Sequence, residues 1–475
     1  MAGERSPGIK LLLTGVIGTA LIMPLFMVYL LVWDRQAQAN VAQNSIEAGW
    51  AGAQVISGPL LVIPYEIERE TAEVVDGNTV TRRYQAREQL YVSPGKQHIG
   101  STINPEIRTR GVIYQSVVYD AQIAGRSSFS VPEELTRLGL SSATLLLEEA
   151  FVQFPMSDPR GLQTDANLVV SGETVPLNPG LGPNAAGSGM HAFIDWSEGQ
   201  DLELEFTYSL RGSSAFSFVP RGEETIWEAN SSWPHPSFTG GFLPGEDDRE
   251  ISADGFTAKW SISNLALGQA LVTTAQPQLP SVFMGDVPSR YDGQVAEYAD
   301  DVATIGLVEP VNLYKLVERA LKYGFLFIGF TFLAFLMFDI IAGARVASAE
   351  YLLTGAGLIL FFVMLLAFAE LVGFAASYAL SSAAIIGLLS AYSAAVLGSW
   401  LRARIIGGLL IALYAVLYVL LNLEAWSLVV GSVLLFAALA GVMYATRNLD
   451  WSQVSSKSGN EEPVADTSEA EGIPA

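Results

Sequence analysis

Apolar and polar positions follow two different rhythms along this chain. From Leu11 to Trp33 no charge interrupts the sequence. As a helix rising about 1.5 Å per residue, such a run exceeds a hydrocarbon core of about 30 Å. Apolar character returns at LKYGFLFIGFTFLAFLMFDII, from Leu321 to Ile341, and dominates to Ala445. Tyr351 to Leu397 is too long for one span and fits two, turning near Glu370. Ile405 to Tyr444 likewise fits two, turning at Asn422 and Glu424.

Between these regions the period falls to two. LLVIPYEIE at 60–68 and DLELEFTYSL at 201–210 alternate as half-buried strands do, and strand-like runs recur at VIYQSVVYDAQI, NLVVSG and FTAKWSISNL. Asp76-Gly77-Asn78 reads as a hairpin turn, because glycine accepts the positive φ such turns need. Residues 34–50 and 295–320 read as helical stalks.

The pattern predicts a membrane α-helical protein of six transmembrane helices, with a large β-rich external domain inserted between the first and second. The expected spans are 11–33, 320–341, 351–369, 373–397, 405–421 and 425–445, with the β-rich segment over 34–319. Loop charges orient them. Arg5 and Lys10 precede the first span, and Arg345, Arg402, Arg404, Arg447 and Lys457 all fall on one side of a six-span chain. The opposite hairpins carry Glu370 and Glu424 and no basic residue. The positive-inside rule therefore puts both termini in the cytoplasm. A cleavable leader ending at Ala37-Gln38-Ala39 is the rival reading, but the apolar run is long for one, and Asp34 and Arg35 intervene. Residues 446–475 are rich in Ser, Glu, Pro and Gly and read as a disordered acidic tail.

Composition agrees: half of the 475 residues are hydrophobic and 16% are charged, with a mean hydropathy of +0.35. The net charge is −22, and residues 34–318 alone hold 37 acidic against 17 basic side chains. Nucleic acid is thereby excluded as a partner, since phosphate binding needs basic patches. Cysteine is absent, which removes disulfides, thiolate zinc sites and cysteine nucleophiles.

Several longer stretches are specific. RGVIYQSVVYDAQIAG (110–125), SDPRGL (157–162), SSWPHPSFTGGFLP (231–244), EPVNLYKLVERALKYGFLFIGFTFLAF (309–335) and the helix cluster ending in MYATRNLDW resemble the CreD family of bacterial inner-membrane proteins. The resemblance runs from about residue 30 to residue 451. It implies a role in envelope integrity and stress response, and brings no agreed catalytic residue or cofactor.

Candidate chemistry is sparse. The glycines of the first span lack a following GK[ST], and no HExxH, GxSxG or SxxK pattern occurs. His98, His191 and His235 are far apart. The clusters Glu246-Asp247-Asp248 and Asp300-Asp301 lack EF-hand spacing. Glu148-Glu149, read as neighbours on a strand, would point to opposite faces and could not flank one glycosidic bond. The spans are read as free of charge at their middles, so packing is expected there rather than ion transport. The fourth span, rich in Gly, Ala and Ser, is expected to pack closely, with Gly387 at its interface.

Two places invite a functional reading. At the entry to the second span, Glu318 with Lys322 and Arg319 with Tyr323 are four apart and can pair on a helix face, coupling the external domain to the bundle; interfacial anchoring is the plainer reading. In SSWPHPSFTGGFLP, two prolines flank His235, with Ser237 two residues on. A rigid corner anchored by Trp233, Phe238, Phe242 and Leu243 is expected there, because side chains two apart on a strand lie about 6.5 Å from each other, too far for a Ser-His pair. The expected partners are membrane lipids and an envelope protein, peptidoglycan or lipid ligand, with no cofactor or metal; a homo-oligomer is left open. The rival function is a membrane-tethered envelope enzyme or a lipid-handling transporter.

Overall fold

The computed structural model describes residues 7–75, 78–110, 114–132, 135–184, 186–280, 301–307, 313–341, 346–422 and 427–447. The chain divides into a helical unit, residues 1–38 and 311–475, and a β-rich unit, residues 39–310.

The first helix, α1 (Pro7–Trp50), runs unbroken past the apolar stretch, so residues 34–50 do continue it as a helix. It ends at Ala51, whose φ of 62° is left-handed and unusual for a side chain with a β-carbon. Late in the β-rich unit comes a one-turn helix, α2 (Asn264–Leu267), capped by Ser263. The helical unit continues with α3 (Leu313–Lys322), α4 (Gly324–Ile341), α5 (Ser348–Val372), α6 (Phe374–Val396), α7 (Trp400–Asn422) and α8 (Ser427–Thr446). Among the described residues five helices are long and apolar enough to cross a membrane: Leu11–Trp50, Leu313–Asp339, Ser348–Val372, Phe374–Val396 and Trp400–Asn422. The sixth expected span falls on α8, where a shorter apolar stretch, Gly431–Gly441, is found.

Close packing in the bundle is carried by glycines other than the one expected. A β-carbon at Gly355 would lie 2.1 Å from Leu21 Cδ1 and 3.1 Å from the Phe332 ring, and one at Gly407 would lie 2.7 Å from Ser390 Oγ. Gly387 meets nothing within 4 Å and is exposed. The fourth span instead buries Ser377, Tyr378, Ser381, Ile385, Leu389 and Ser393, and Gly387, two positions from both Ile385 and Leu389, lies on the opposite face. Ser377 donates to Leu365 O of α5 (2.9 Å) and Tyr378 to Tyr414 O of α7 (2.7 Å).

The β-rich unit has three sheets. The eight-stranded one runs β16 (Arg249–Ser252), β17 (Gly255–Ser263), β14 (Glu224–Ser231), β4 (Lys96–Arg110), β5 (Tyr114–Phe129), β12 (Leu202–Ser213), β8 (Asn167–Val170), β9 (Glu173–Val175). The second runs β10 (Asn178–Pro179), β11 (Gly189–Phe193), β7 (Phe151–Pro155), β2 (Leu60–Val75), β3 (Asn78–Val92), β18 (Val272–Thr273), with β6 (Thr144–Leu145) also paired to β2. The third is β1 (Gln54–Ser57), β13 (Ala215–Val219), β19 (Ala303–Leu307), β15 (Pro236–Gly240). Its β19 occupies part of the stretch read as a second stalk, and among the described residues of that stretch helix runs from Leu313. The alternation read in DLELEFTYSL is realised in β12, where Leu202, Leu204, Phe206 and Tyr208 are buried and the intervening residues exposed. β2 and β3 pair from Leu61–Val92 to Val75–Asn78; Asp76 and Gly77 lie outside the described residues. Glu148 and Glu149 are not on a strand but in a 3-10 turn, and Glu149 pairs with Arg87.

One aromatic stack fills the core between sheets. Trp227 and Trp260 stack with centroids 4.2 Å apart, and Phe216, Phe218 and Phe238 surround them. All three sheets meet at Gln54, which is fully buried. Its Nε2 donates to Asp158 O (3.1 Å) and Arg211 O (3.0 Å), while its Oε1 accepts from Ser157 Oγ (3.0 Å) and Asp158 N (3.3 Å).

The packing positions make a sharp comparison. Gly355→Leu should lower the melting temperature of the detergent-solubilised protein, since overpacking costs about 1–3 kcal/mol, and Gly387→Leu should leave it nearly unchanged. Equal melting of the two variants would refute this placement of the helix contacts.

Candidate functional site

The amphipathic α3 presents Tyr314, Val317, Ala320 and Leu321 to the bundle, three or four residues apart, as a one-sided helix must. Its polar face is then free to reach the ends of other helices. Lys322 Nζ lies 2.9 Å from Glu318 Oε1, as the spacing suggested, and Tyr29 of α1 donates to the same oxygen at 3.4 Å. Arg319 Nη1 donates to Leu421 O (3.0 Å) in the last turn of α7. The final carbonyls of a helix lack partners within it and carry partial negative charge, so a guanidinium there satisfies both needs. Tyr314 donates to Glu370 Oε1 (3.2 Å), near the C-terminal end of α5. Three helices thus have side chains or carbonyls gathered on one short helix. Glu318, Arg319, Lys322 and Glu370 belong to this junction; Glu424 lies outside the described residues.

The stretch 231–244 forms a separate feature in the β-rich unit. Trp233 is 9% exposed, and its indole N–H donates to His235 O at 3.1 Å, which closes the corner. Phe238 on β15 meets Phe256 and Trp260 edge-on at 5.6 and 5.7 Å, and Trp260 donates its indole N–H to Phe242 O. Gly240, at φ 97°, sits where a β-carbon would lie 2.1 Å from Val302 O, so only glycine fits. Leu243 does not serve as an anchor; it is 61% exposed. His235 and Ser237 are both exposed, and no hydrogen bond joins them. The corner is built for rigidity, and among the described residues no acid is hydrogen-bonded to its imidazole.

The other histidines are elsewhere. His98 Nε2 lies 3.6 Å from Glu228, whose carboxyl is held below the usual range chiefly by its hydrogen bond from Lys259. His191 is buried against Phe151 and Phe193, with Nδ1 3.0 Å from Gly180 O. Among the described residues no His, Asp and Glu side chains cluster to hold a metal ion. Glu246, Asp247 and Asp248 are exposed.

Sequence reasoning missed two groups. Asp339, in the second expected span, is only 4% exposed, and Tyr351 of α5, also buried, lies within its electrostatic reach. Its single letter in FLMFDII was the available signal. Glu47, near the end of α1, accepts from Ser116 Oγ (3.3 Å) and Ser214 Oγ (2.7 Å). One turn on, the Trp50 ring lies under the guanidinium groups of Arg108 and Arg211, 4.1 and 4.6 Å from its centroid.

A family model described as "Inner membrane protein CreD" matches residues 6–452. The protein of that name from Escherichia coli (strain K12) is 29% identical over 456 residues, covering 92% of this chain and 93% of its own. Among solved structures, a "putative nutrient binding protein" from Legionella pneumophila covers 58% of this chain and 85% of its own, at 13% identity and a TM-score of 0.23, too low to carry an argument.

Two pairs of variants separate these features. Replacing Arg319 with Met should destabilise the bundle by about 1.5–3 kcal/mol, the range for a charged hydrogen bond. Replacing the more exposed Lys322 with Ala should cost under about 1 kcal/mol. In the corner, Trp233→Ala should cost about 3–5 kcal/mol, read by thermal melting. Ser237→Ala should preserve folding and complement a deletion as well as the unaltered protein does; failure to complement at normal abundance would revive a catalytic role for the serine.

Proposed function

The chain belongs to the CreD family of inner membrane proteins, and from that premise we propose that it is a six-span protein whose β-rich domain, in the periplasm, binds an envelope component and signals its state to the helix bundle. The role is non-enzymatic, in envelope integrity and the response to envelope stress. The domain's ligand is peptidoglycan, lipid or an envelope protein. The observation that carries this reading is α3. It follows β19 closely in sequence, and its side chains meet α1, α5 and α7. A shift of β19 on ligand binding would therefore be delivered through one short helix to three others. The rival reading, a lipid-handling transporter, has one observation in its favour: buried carboxylates within spans often mark transport pathways, and Asp339 is one.

Crosslinking in living cells with identification of the captured partner tests the binding role. Capture of an envelope component that depends on the β-rich domain supports it, whereas turnover or transbilayer movement of a lipid by purified protein supports the rival. Topology has its own test. A reporter active only in the periplasm should work when fused after Ser171, Glu370 or Glu424 and be silent after Arg345, Arg402 or Lys457. Activity at Arg345 would overturn the six-span arrangement.

A further inference from the structure

Non-glycine residues with left-handed backbone are few among the described residues: Ala51, Ser171 and Ser214. Two of the three meet in one place. Ala51 ends α1, and Ser214, at φ 62°, is the elbow where the chain leaves β12 of the eight-stranded sheet and enters β13 of the four-stranded one. Left-handed backbone is unfavourable for a residue with a β-carbon, so it persists only where the surroundings hold it.

The elbow is held on every side. Ser213 N donates to Gly52 O (3.1 Å), just past α1, and Ser214 N to Val117 O of β5 (3.0 Å). Ser214 O accepts from Leu307 N (2.8 Å), the last residue of β19, and Ala215 O accepts from the buried Tyr119 hydroxyl (2.7 Å). Gly212, just before the elbow, leaves no room for a β-carbon against Tyr119. Amid these backbone ties, the side chain of Ser214 is committed to one partner, the Glu47 carboxylate of α1. Glu47 also holds Ser116 of β5. It therefore binds a strand of the large sheet and the elbow at once.

We propose that Ser214 is a strained hinge latched by Glu47, through which the last turns of α1 set the orientation of the four-stranded sheet relative to the eight-stranded sheet. This deepens the coupling reading and rests on it for its biological meaning: with the latch closed, β19 has one position, and with it open, the sheet containing β19 gains a second. Displacement of α1 at Glu47 and ligand-driven movement of the sheets then become two ways of working the same joint.

The absence of native cysteine makes the test clean. Spin labels on cysteines introduced at Glu173 of β9 and Thr239 of β15, both exposed, report the distance between the two sheets in the full-length protein in nanodiscs. The latched protein should give one narrow distribution. Glu47→Gln and Ser214→Ala should each add a second distance, with amide exchange about tenfold faster over 213–219 and 303–307 and unchanged over 249–263. Ser214→Gly loses the hydroxyl but adopts positive φ without strain, so it should remain closer to the narrow distribution than Ser214→Ala. An unchanged distribution in both Glu47→Gln and Ser214→Ala would overturn the hinge. So would exchange accelerated equally across the domain, which marks general destabilisation, or a glycine variant as broad as the alanine one. These outcomes are independent of any envelope phenotype, so the hinge can fail while the proposed function stands.

Discussion

The β-rich unit depends on a single buried amide. A primary amide taken out of water must find partners for its donors and its acceptor or carry the cost of their desolvation. Gln54 finds four, and they belong to segments from different sheets: the Ser157–Asp158 turn after β7 and the backbone of β12, while Gln54 itself opens β1. Strand pairing fixes positions only within a sheet, so the mutual angle of three sheets rests on joints such as this one and the ties at the Ser213–Ala215 elbow. Hydrophobic burial then fills the space between them, around the two indoles and their phenylalanines, but burial alone has no direction. The crowding at Gly212, where a β-carbon would strike both Tyr119 and Gln54, follows from the same convergence.

The helical unit meets a corresponding problem with different means. In lipid the interior of a helix satisfies its own backbone, and only the ends are left with open carbonyls and amides. Arg319 and Tyr314 bring polar side chains to the C-terminal ends of α7 and α5, one to a carbonyl and the other to Glu370. Within the bundle, contact is set by where side chains are missing, as at Gly355 and Gly407, and by hydroxyls such as Ser377 that bond a neighbouring helix. The β-rich and helical units thus reserve specific polar contacts for joints and leave bulk cohesion to apolar packing.

What the sequence made legible was whatever repeats locally. The charge-free run at 11–33, the alternation in β12 and the four-residue spacing of Glu318 and Lys322 each have a period that a short window can detect, and each appears in the structure. The rest depended on residues far apart. Gln54 is separated from its partners by more than 100 positions, Arg319 from Leu421 by 102 and Glu47 from Ser214 by 167. No periodicity marks such pairs. Gly387 failed for a related reason: composition identified a helix rich in small residues, but only the neighbouring helices decide which face is turned inward, and the two positions between Gly387 and the buried Ile385 or Leu389 turn it by about 200°. The corner at 231–244 lies between these cases. Proline and glycine announced its rigidity, while exposure of Leu243 rather than Phe242 was a matter of tertiary contact.

The stacked pair Trp227 and Trp260 has an optical consequence. Indoles whose rings lie 4.2 Å apart at an interplanar angle of 22° share their excited states instead of absorbing independently. Their transitions split with opposite rotational strengths. Because β14 and β17 bring the pair together, the coupling vanishes as soon as those strands separate. The β-rich unit consequently carries its own chromophore, readable by near-ultraviolet circular dichroism, where the peptide bonds of the bundle do not absorb, and its integrity can be followed in the intact protein without any added label.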